Sequence, residues 1–331
     1  MAKRRAAEDQ LTLFGPAPTQ LKVQPAEVGP EVAALAREMP AEIRLGGSTW
    51  SFPGWAGLVF DREHSPSALA KDGLAAYARH PLFTMVGVDR TFYKPMTVEE
   101  HAAYAAAVPT GFRFLVKVHE ALTIHRYPDL DRYGERRGAL NPLYLDAAYA
   151  AEEVVAPTVA GLGERLGALL FQFPASAPEE PEAFAERLGE LLMKLPRGPV
   201  YTVELRNRSH LTPRYAEALH AAGASHCYNI FPGMPDLKAQ ARIVGGTGPT
   251  FIVRWVVRTG ITYAKARTAF APFHELADED PDTRRRLAAM ALRAAARGTP
   301  SLLSIHNLAE GSSPLSIVKL AEEIARQRAN G

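Results

Sequence analysis

The sequence predicts a single closed (β/α)₈ barrel of the TIM type behind an N-terminal tail, and three observations lead to this prediction. Short β-rich runs alternate with longer helical patterns from Ile43 onward, which is typical of repeated βαβ units and a parallel sheet. The runs number eight within about 290 residues, the size and order of a closed barrel. No run is followed by a G-x-G-x-x-G or G-x-x-x-x-G-K-[ST] motif, so an open, doubly wound sheet is the weaker alternative.

The elements follow from hydrophobic periodicity and from turn residues. Strands are predicted over 43–50, 85–92, 113–120, 167–174, 200–207, 224–231, 250–257 and 300–307. Helices are predicted over 67–80, 98–108, 145–163, 181–195, 213–223, 283–298 and 313–327, whereas the connection after the sixth strand has no clear pattern. Two connections, 121–143 and 258–282, are longer than a barrel needs and follow strands on the face where barrel active sites lie. Both are candidates to cover a pocket.

Residues 1–40 are predicted to form a flexible tail, which leaves the barrel to residues 41–328. The tail is rich in Ala, Pro, Gln and Glu and has no sustained apolar period before one short helical turn over 31–39.

Composition excludes several classes of protein. With 331 residues, 47% of them hydrophobic and 22% charged, the chain can bury a full core. The net charge of +2 is too small to indicate a nucleic-acid or membrane partner without a local basic patch. Cys227 is the single cysteine, which excludes an internal disulfide and fits a reducing cytoplasm. No window approaches the roughly 20 apolar residues that span a bilayer, so we expect a cytoplasmic protein without a membrane partner.

Polar residues of one parity gather near the carboxyl ends of the predicted strands. Side chains alternate along a strand, so one parity points into the barrel mouth and the other faces the helices. Charged groups that converge there are costly to bury unless paired or wet, which favours a site; a structural ion network is the alternative for any single residue. The inward residues are Trp50, Asp89, Thr91, Lys117, His119, Gln172, Glu204, Arg206, Arg254 and His306. The outward, apolar residues are Val88, Val116, Val118, Phe171, Phe173, Val203, Leu205 and Ile305.

Six ordered runs carry a family resemblance: GGSTWSFPGWAGLVF, VGVDRTFY, PTGFRFLVKVHEALTIH, LGALLFQFP, VELRN and IHNLAEGSSPLSIVKLAEEI. Together they resemble the motifs of the YecE-like family, domain of unknown function 72, from about Ile43 to Ile324. The resemblance implies a TIM-type barrel and does not by itself imply a reaction. The family's motif residues correspond to Gly46, Trp50, Trp55, Gly57, Thr91, Phe92, Tyr93, Lys117, Gln172, Pro174, Glu204, Arg206 and Asn307.

This chain departs from the family pattern at three places. The usual second motif, V-E-I-N-S-T-F-Y, loses its carboxylate at Gly87 and gains one of the same parity at Asp89. The family's tryptophan after its E-x-R motif corresponds to His210, and an Asn-Asn pair near the end becomes His306-Asn307. These changes indicate a divergent branch, to which an activity of a typical member need not transfer.

The candidate chemistry is acid/base catalysis on an anion. A carboxylate near an ammonium group in a cleft has a shifted pKa, so Glu204 and Lys117 are the first catalytic candidates, with Asp89 and His306 beside them. Arg206 and Arg254 are candidates to hold an anion. This predicts a hydrolase or lyase for a phosphate-bearing small molecule or a nucleic acid. The residues predicted to bind the substrate are Trp50, Trp55, Thr91, Tyr93, His119, Gln172, Arg206, Arg254 and Asn307.

Aromatic and basic residues also mingle around the predicted mouth, where aromatic faces could stack bases and guanidinium groups could grip phosphate. Packing of the loops is the alternative for at least half of these aromatic residues. They are Trp50, Phe52, Trp55, Phe92, Tyr93, Tyr127 and Tyr133, with Arg90, Arg126, Arg132, Arg136 and Arg137.

A divalent metal is the less favoured alternative, and the sequence identifies no cofactor. The possible ligands are scattered, and no H-E-x-x-H spacing supports a site, so we expect ordinary hydrogen-bonded histidines. They are His119, His125, His210 and His306, with Asp89 and Glu204.

A short motif in the tail predicts a protein partner. Gln10, Leu11, Leu13 and Phe14 form the pattern Q-L-x-L-F, which resembles the peptide that docks replication and repair proteins onto the bacterial sliding clamp. Leu and Phe supply apolar anchors, and a mobile terminus presents them freely. The alternatives are a chance match and docking of the peptide on its own barrel. A non-catalytic adaptor in DNA replication or repair is therefore the second functional hypothesis.

Overall fold

Eight parallel strands form the wall of a nearly closed barrel in the computed structural model, which describes residues 22–176, 179–246 and 248–330. The strand order is β1-β8-β7-β6-β5-β4-β3-β2, which confirms the predicted (β/α)₈ fold. The strands are β1 Ile43–Gly47, β2 Met85–Val88, β3 Arg113–Lys117, β4 Leu166–Phe173, β5 Tyr201–Leu205, β6 Ser225–Ile230, β7 Phe251–Trp255 and β8 Ser301–Ile305.

Helices surround this wall, and several begin with a proline in the first turn, where a missing N–H costs nothing. All seven predicted helical segments are observed, and the connection after the sixth strand contains a further helix, α9. A π-helical segment, Ala150–Val155, joins α5 to α6. The helices are α1 Pro30–Glu38, α2 Pro66–Tyr77, α3 Arg90–Tyr93, α4 Val98–Ala106, α5 Ala147–Tyr149, α6 Ala156–Leu162, α7 Pro181–Lys194, α8 Pro213–Ala222, α9 Leu237–Val244, α10 Tyr263–Ala269, α11 Pro281–Ala295 and α12 Ser313–Asn330.

Two edges of the barrel wall are weakly joined. Between β1 and β2, the Thr84 amide donates to the Leu45 carbonyl at 2.9 Å. A Cβ on Gly46 would lie 1.8 Å from the Met85 carbonyl oxygen, so glycine is required for this close approach. Strands β5 and β6 are in register over two residue pairs only. The wall therefore consists of two four-stranded halves, β2–β5 and β6–β1.

The barrel interior has an apolar layer and, nearer the carboxyl ends, a polar layer. The outward residues predicted from parity all lie in the main core between strands and helices. The inward apolar layer is a separate cluster of Met85, Leu115, Ala168, Leu170, Cys227, Ile252 and Leu302. Two residues further along the strands of this cluster other than β2, and at the matching position of β5, the inward residues are Lys117, Gln172, Glu204, Asn229, Arg254 and Ser304. The predicted register is thus confirmed within the strands.

The strands end earlier than predicted, and alternation stops where they end. Most of them are two or three residues shorter at the carboxyl end, because the chain turns there into short helices. Asp89 precedes α3, for example, and His306 precedes a 3₁₀ turn at Asn307–Ala309. Several residues assigned to strands therefore lie on the following turns or loops, where parity no longer sets direction: Trp50, Asp89, Thr91, His119, Arg206, His306 and Asn307.

The described part of the predicted tail, residues 22–40, makes contacts with the barrel. The Ala26 amide donates to the Val59 carbonyl at 2.9 Å, and Arg328 donates to the Glu38 carbonyl at 2.6 Å. The apolar residues of α1 pack against the main core. The motif at residues 10–14 lies outside the described residues.

The two long connections fold over neighbouring loops of the mouth. In the first, Ile124, Tyr127 and Tyr133 form a small apolar cluster against Phe92. In the second, Phe273 contacts Phe52 edge to face at 5.1 Å between ring centroids. Among the helices of the described ranges, none combines the length and apolar character that a membrane span requires.

Candidate functional site

Four of the predicted site residues meet inside the carboxyl end of the barrel. Gln172 and Glu204 are register partners on β4 and β5, Arg254 lies on β7, and Arg206 directly follows β5. Both arginines contact Glu204 and Gln172, so side chains from both halves of the wall converge on one point. Inward parity on the strands places them together.

Glu204 is the fully buried anion at the centre. It accepts hydrogen bonds from Arg206 Nε at 3.0 Å and from Arg254 Nη1 at 2.5 Å. Burial opposes ionisation, but the two guanidinium groups outweigh it and lower the pKa of Glu204 to about 2. Glu204 is consequently a carboxylate at neutral pH and is poorly suited to exchange a proton there.

Gln172 and Asp89 also contact the arginines: Gln172 contacts both of them, and Asp89 lies near Arg254. Gln172 Oε1 accepts from Arg206 Nη2 at 3.1 Å and from Arg254 Nη1 at 2.9 Å. Asp89 Oδ1 lies 3.9 Å from Arg254 Nη2. Although burial disfavours the charge on Arg254, Glu204 and Asp89 raise its pKa above the ordinary value. Both guanidinium groups are therefore fixed and charged.

Lys117 stands beside this cluster without an ion pair. Among the described residues, no carboxylate oxygen lies within 4.0 Å of its Nζ, which sits 3.6 Å from the centroid of the Phe92 ring. Its side chain is buried, and desolvation lowers the pKa of Lys117 to about 8 even though Asp89 favours the charge. Lys117 can therefore exchange a proton near neutral pH.

His306 adds a neutral hydrogen-bond donor. Burial, followed by the charge of Arg254, lowers the pKa of His306 to about 4. Its Nδ1 lies 3.2 Å from the Leu308 amide and accepts that hydrogen bond. In the neutral ring the proton is thereby assigned to Nε2, which is left to donate.

Several residues predicted to bind the substrate make hydrogen bonds within the protein at the mouth. Buried Trp55 donates its indole N–H to Asn307 Oδ1 at 3.1 Å, and the Ser313 amide donates to the same oxygen at 2.9 Å. Thr91 donates to the carbonyl of Lys117 at 2.6 Å and so fixes the end of β3. Trp55, Thr91 and Asn307 therefore position the strand ends.

The remaining predicted residues line the edge of the mouth. Trp50 is buried and packs edge to face on Tyr104, at 5.1 Å between centroids. His119 Nδ1 lies 2.7 Å from the Tyr149 hydroxyl, and burial lowers the pKa of His119. Tyr93 is 64% exposed, with the Arg132 guanidinium carbon 5.3 Å from its ring centroid. Tyr93 is thus the most exposed of these three residues.

The possible metal ligands do not assemble. Within the described ranges, no group of three or more His, Cys, Asp or Glu side chains has a geometry suited to a metal ion. His210 stacks on Phe184 and contacts the Glu179 carbonyl at 2.9 Å, whereas His125 packs edge to face on Tyr144.

Sequence reasoning missed Asn229, which lies in the same polar layer on β6. Its Nδ2 donates to the Leu205 carbonyl at 2.6 Å, and its Oδ1 is buried without a hydrogen-bond partner among the described residues. The signal was available, because Asn229 shares the parity of inward Cys227. Asn229 is uncharged, and no charged residue of the same parity lies on its strand, so the search for converging charges did not select it.

The mouth carries an excess of positive charge. Three cationic side chains, Lys117, Arg206 and Arg254, face two carboxylates, Glu204 and Asp89. Solvent reaches the cluster through Asp89, whose side chain is 47% exposed, and through Arg206, at 15%. An accessible, positively charged cluster of restrained side chains is suited to an anion.

The profile of the family described as "Protein of unknown function DUF72" matches residues 44–330. A crystal structure of a DUF72 family protein from Enterococcus faecalis V583 is similar, with 19% sequence identity and a TM-score of 0.57, over 86% of this chain and 95% of that chain. Another, from Thermotoga maritima MSB8, has 16% identity and a TM-score of 0.54, over 86% and 99% of the two chains. Such low identities support the fold alone. None of the curated proteins matches the sequence.

Proposed function

The chain belongs to the DUF72 family, and from this premise we propose that its barrel mouth binds a phosphate-bearing substrate and moves a proton through Lys117, as a hydrolase or a lyase. One observation carries the proposal: a buried lysine without an ion pair stands beside two arginines that a single glutamate holds in place. Such an arrangement leaves positive charge for a ligand to neutralise.

The donors around the mouth suit a phosphoryl group. Arg206 and Arg254 are oriented by Glu204 and Gln172, so little conformational freedom remains to be lost on binding. Lys117 and the Nε2–H of His306 add a charged and a neutral donor. Guanidinium groups match phosphate geometry and remain charged at any physiological pH.

The proton-transfer role falls to Lys117 rather than to Glu204. A catalytic group works best with a pKa near the working pH, which a value of about 8 satisfies and a value of about 2 does not. In hydrolysis, water would add to the phosphorus as its bond to the ester oxygen breaks, and protonated Lys117 would give its proton to that leaving oxygen. In a lyase, neutral Lys117 would take a proton from the carbon next to the one that carries the phosphate, and the electron pair of that C–H bond would form a double bond as the C–O bond to the leaving phosphate breaks.

A nucleic acid is the larger substrate that the rim would accommodate. Exposed Tyr93 lies beside Arg132, whose guanidinium carbon is 5.3 Å from the centroid of the tyrosine ring. Aromatic faces stack bases, and nearby guanidinium groups contact phosphates.

The test combines binding and turnover on the full chain. Sulfate binding is measured by calorimetry, and turnover is measured on phosphomonoesters and on short single-stranded DNA and RNA. We expect micromolar to millimolar sulfate binding, and turnover that Lys117→Met abolishes. Lys319→Met, at a solvent-exposed lysine of α12, is the matched control and should retain both. Absence of sulfate binding, or full turnover by Lys117→Met, would refute the proposal.

A second candidate function, an adaptor on the bacterial sliding clamp, is favoured by Gln10, Leu11, Leu13 and Phe14. We propose that this peptide recruits the barrel to DNA during replication or repair, which is compatible with catalysis. The test measures binding of residues 1–20 to a purified sliding clamp by fluorescence anisotropy. Leu13→Ala with Phe14→Ala should remove binding, whereas Thr12→Ala should not, because position 12 is unspecified in the motif. Equal affinity of all three peptides would refute recruitment.

A further inference from the structure

A cavity of about 390 Å³ opens beside the mouth, between the loops that follow β6 and β7. Its walls are largely apolar and are contributed by Ile230, Phe231, Met234, Leu237, Val257 and Ile261. This volume lies within the range of small-molecule sites.

The cavity adjoins the charged mouth through two residues. Asn229 belongs to the polar layer of the barrel and also lines the cavity. Phe231 lines the cavity as well, and the Arg206 guanidinium carbon lies 4.0 Å from its ring centroid. The side chain of Phe231 therefore separates Arg206 from the apolar cavity.

The polar groups of the cavity indicate what kind of ligand it accepts. Arg258 is already paired, with Asp278 at 3.3 Å and Asp280 at 3.1 Å, whereas the exposed Arg286, which also lines the cavity, makes no ion pair among the described residues. Asn229 Oδ1 is buried out of reach of a water-sized probe and has no hydrogen-bond partner among the described residues, so it is not a group that a ligand in the cavity contacts. The walls therefore suit an apolar group.

We propose that this cavity is a second substrate subsite, which takes the aromatic or branched aliphatic part of the phosphate-bearing molecule held at the mouth. The inference rests on the proposed function and specifies its substrate class: a phosphate ester of an aryl or comparable apolar group, rather than a small polar phosphate. Phe231 separates the two subsites and contacts the apolar group on one side and Arg206 on the other.

The experiment compares methyl phosphate with phenyl phosphate by calorimetry on the full chain at pH 8. The two probes share their charge, so the ratio of their dissociation constants isolates the apolar group. We expect phenyl phosphate to bind about tenfold more tightly, which corresponds to about 1.4 kcal/mol. Ile261→Trp and Met234→Trp fill the cavity from its two loops and should bring the ratio close to one while leaving methyl phosphate affinity unchanged. Ile261→Leu keeps the volume and should keep the ratio.

The outcomes separate the two proposals. If methyl phosphate binds but phenyl phosphate binds no more tightly, the subsite is refuted and the proposed function stands. The same conclusion follows if the preference for phenyl phosphate persists in both folded tryptophan variants. If methyl phosphate does not bind at all, the proposed function fails, and the subsite fails with it.

Discussion

Two glutamates of this barrel, Glu204 and Glu310, are both fully buried and both paired with arginine, yet their surroundings differ. Glu310 receives Arg284 Nε at 2.9 and 3.1 Å and the Asp280 amide at 2.5 Å. Arg284 also pairs with Glu279, so two carboxylates share one arginine in this network. The Asp280 amide supplies a further hydrogen bond to Glu310. Glu204, in contrast, lies in a cluster with more cations than carboxylates.

The difference teaches how to distinguish a structural ion network from a binding site. The Glu310 network ties the long connection after β7 to the start of α12, since the Glu310 carbonyl also accepts from Ala277 at 2.7 Å. Its hydrogen-bonding capacity is used within the protein. The Glu204 network leaves Lys117 unpaired at an opening to solvent. Unused charge, rather than burial or pairing alone, marks the site.

The largest expected effect comes from removing the central charge of the mouth. Glu204→Gln leaves Arg206 without an ion pair and leaves buried Arg254 with only Asp89, 3.9 Å away, so we expect the free energy of unfolding to fall by about 3–5 kcal/mol. Urea denaturation followed by circular dichroism measures the change. A loss below about 1 kcal/mol would mean that the pairing contributes little beyond a surface ion pair.

The matched substitution in the Glu310 network should cause a smaller loss of stability and should leave sulfate binding unchanged. Glu310→Gln keeps an acceptor for Arg284, which also retains Glu279, so we expect a loss of roughly 1.5–3 kcal/mol. Sulfate affinity, measured by calorimetry, should equal that of the unmodified protein. A weakened sulfate affinity would end the distinction between the two networks.

Replacing the unpaired lysine should separate binding from stability. Lys117→Met removes a charge that burial disfavours, so we expect the free energy of unfolding to rise by about 1 kcal/mol. Sulfate binding should weaken about tenfold, which is about 1.4 kcal/mol. Calorimetry and urea denaturation test both parts. Loss of stability together with unchanged sulfate binding would make Lys117 a structural residue.

The smallest effect is a pH dependence that follows from the lowered pKa of Lys117. Sulfate keeps its charge across the range, so a change in its affinity reports on the protein. Lys117 loses its proton as the pH rises through about 8, and the affinity for sulfate should fall there and level off above it. Calorimetry at intervals from pH 6 to pH 10 measures the profile. Lys117→Met should show a flat profile, and an identical decline in that variant would assign it to another group.

Residues within strands were the predictable part of the site. Lys117, Gln172, Glu204 and Arg254 lie on strands, where the period of two fixes the direction of a side chain, and the structure brings the last three into direct contact. The eight strands were found for the same reason. Asn229 follows the same rule and was missed because it carries no charge.

Contacts between distant parts of the chain could not be predicted. The side-chain hydrogen bond from Trp55 to Asn307 joins residues that are 252 positions apart in the sequence. The residues around Trp55 and around Asn307 give no indication of this contact. The Glu310 network likewise depends on how the connection after β7 folds back. Periodicity describes one element at a time, whereas these pairings are set by tertiary packing.

The position of Arg254 has a mechanical consequence. Glu204 and Gln172 belong to the half-wall β2–β5 and Arg254 to β6–β1, so its bonds span the inside of the edge where β5 and β6 share only two residue pairs. An anion that drew the Arg254 guanidinium away from Glu204 would weaken the contact between β5 and β6. We therefore expect anion binding at the mouth to increase local opening between β5 and β6, which amide hydrogen exchange in these two strands would measure.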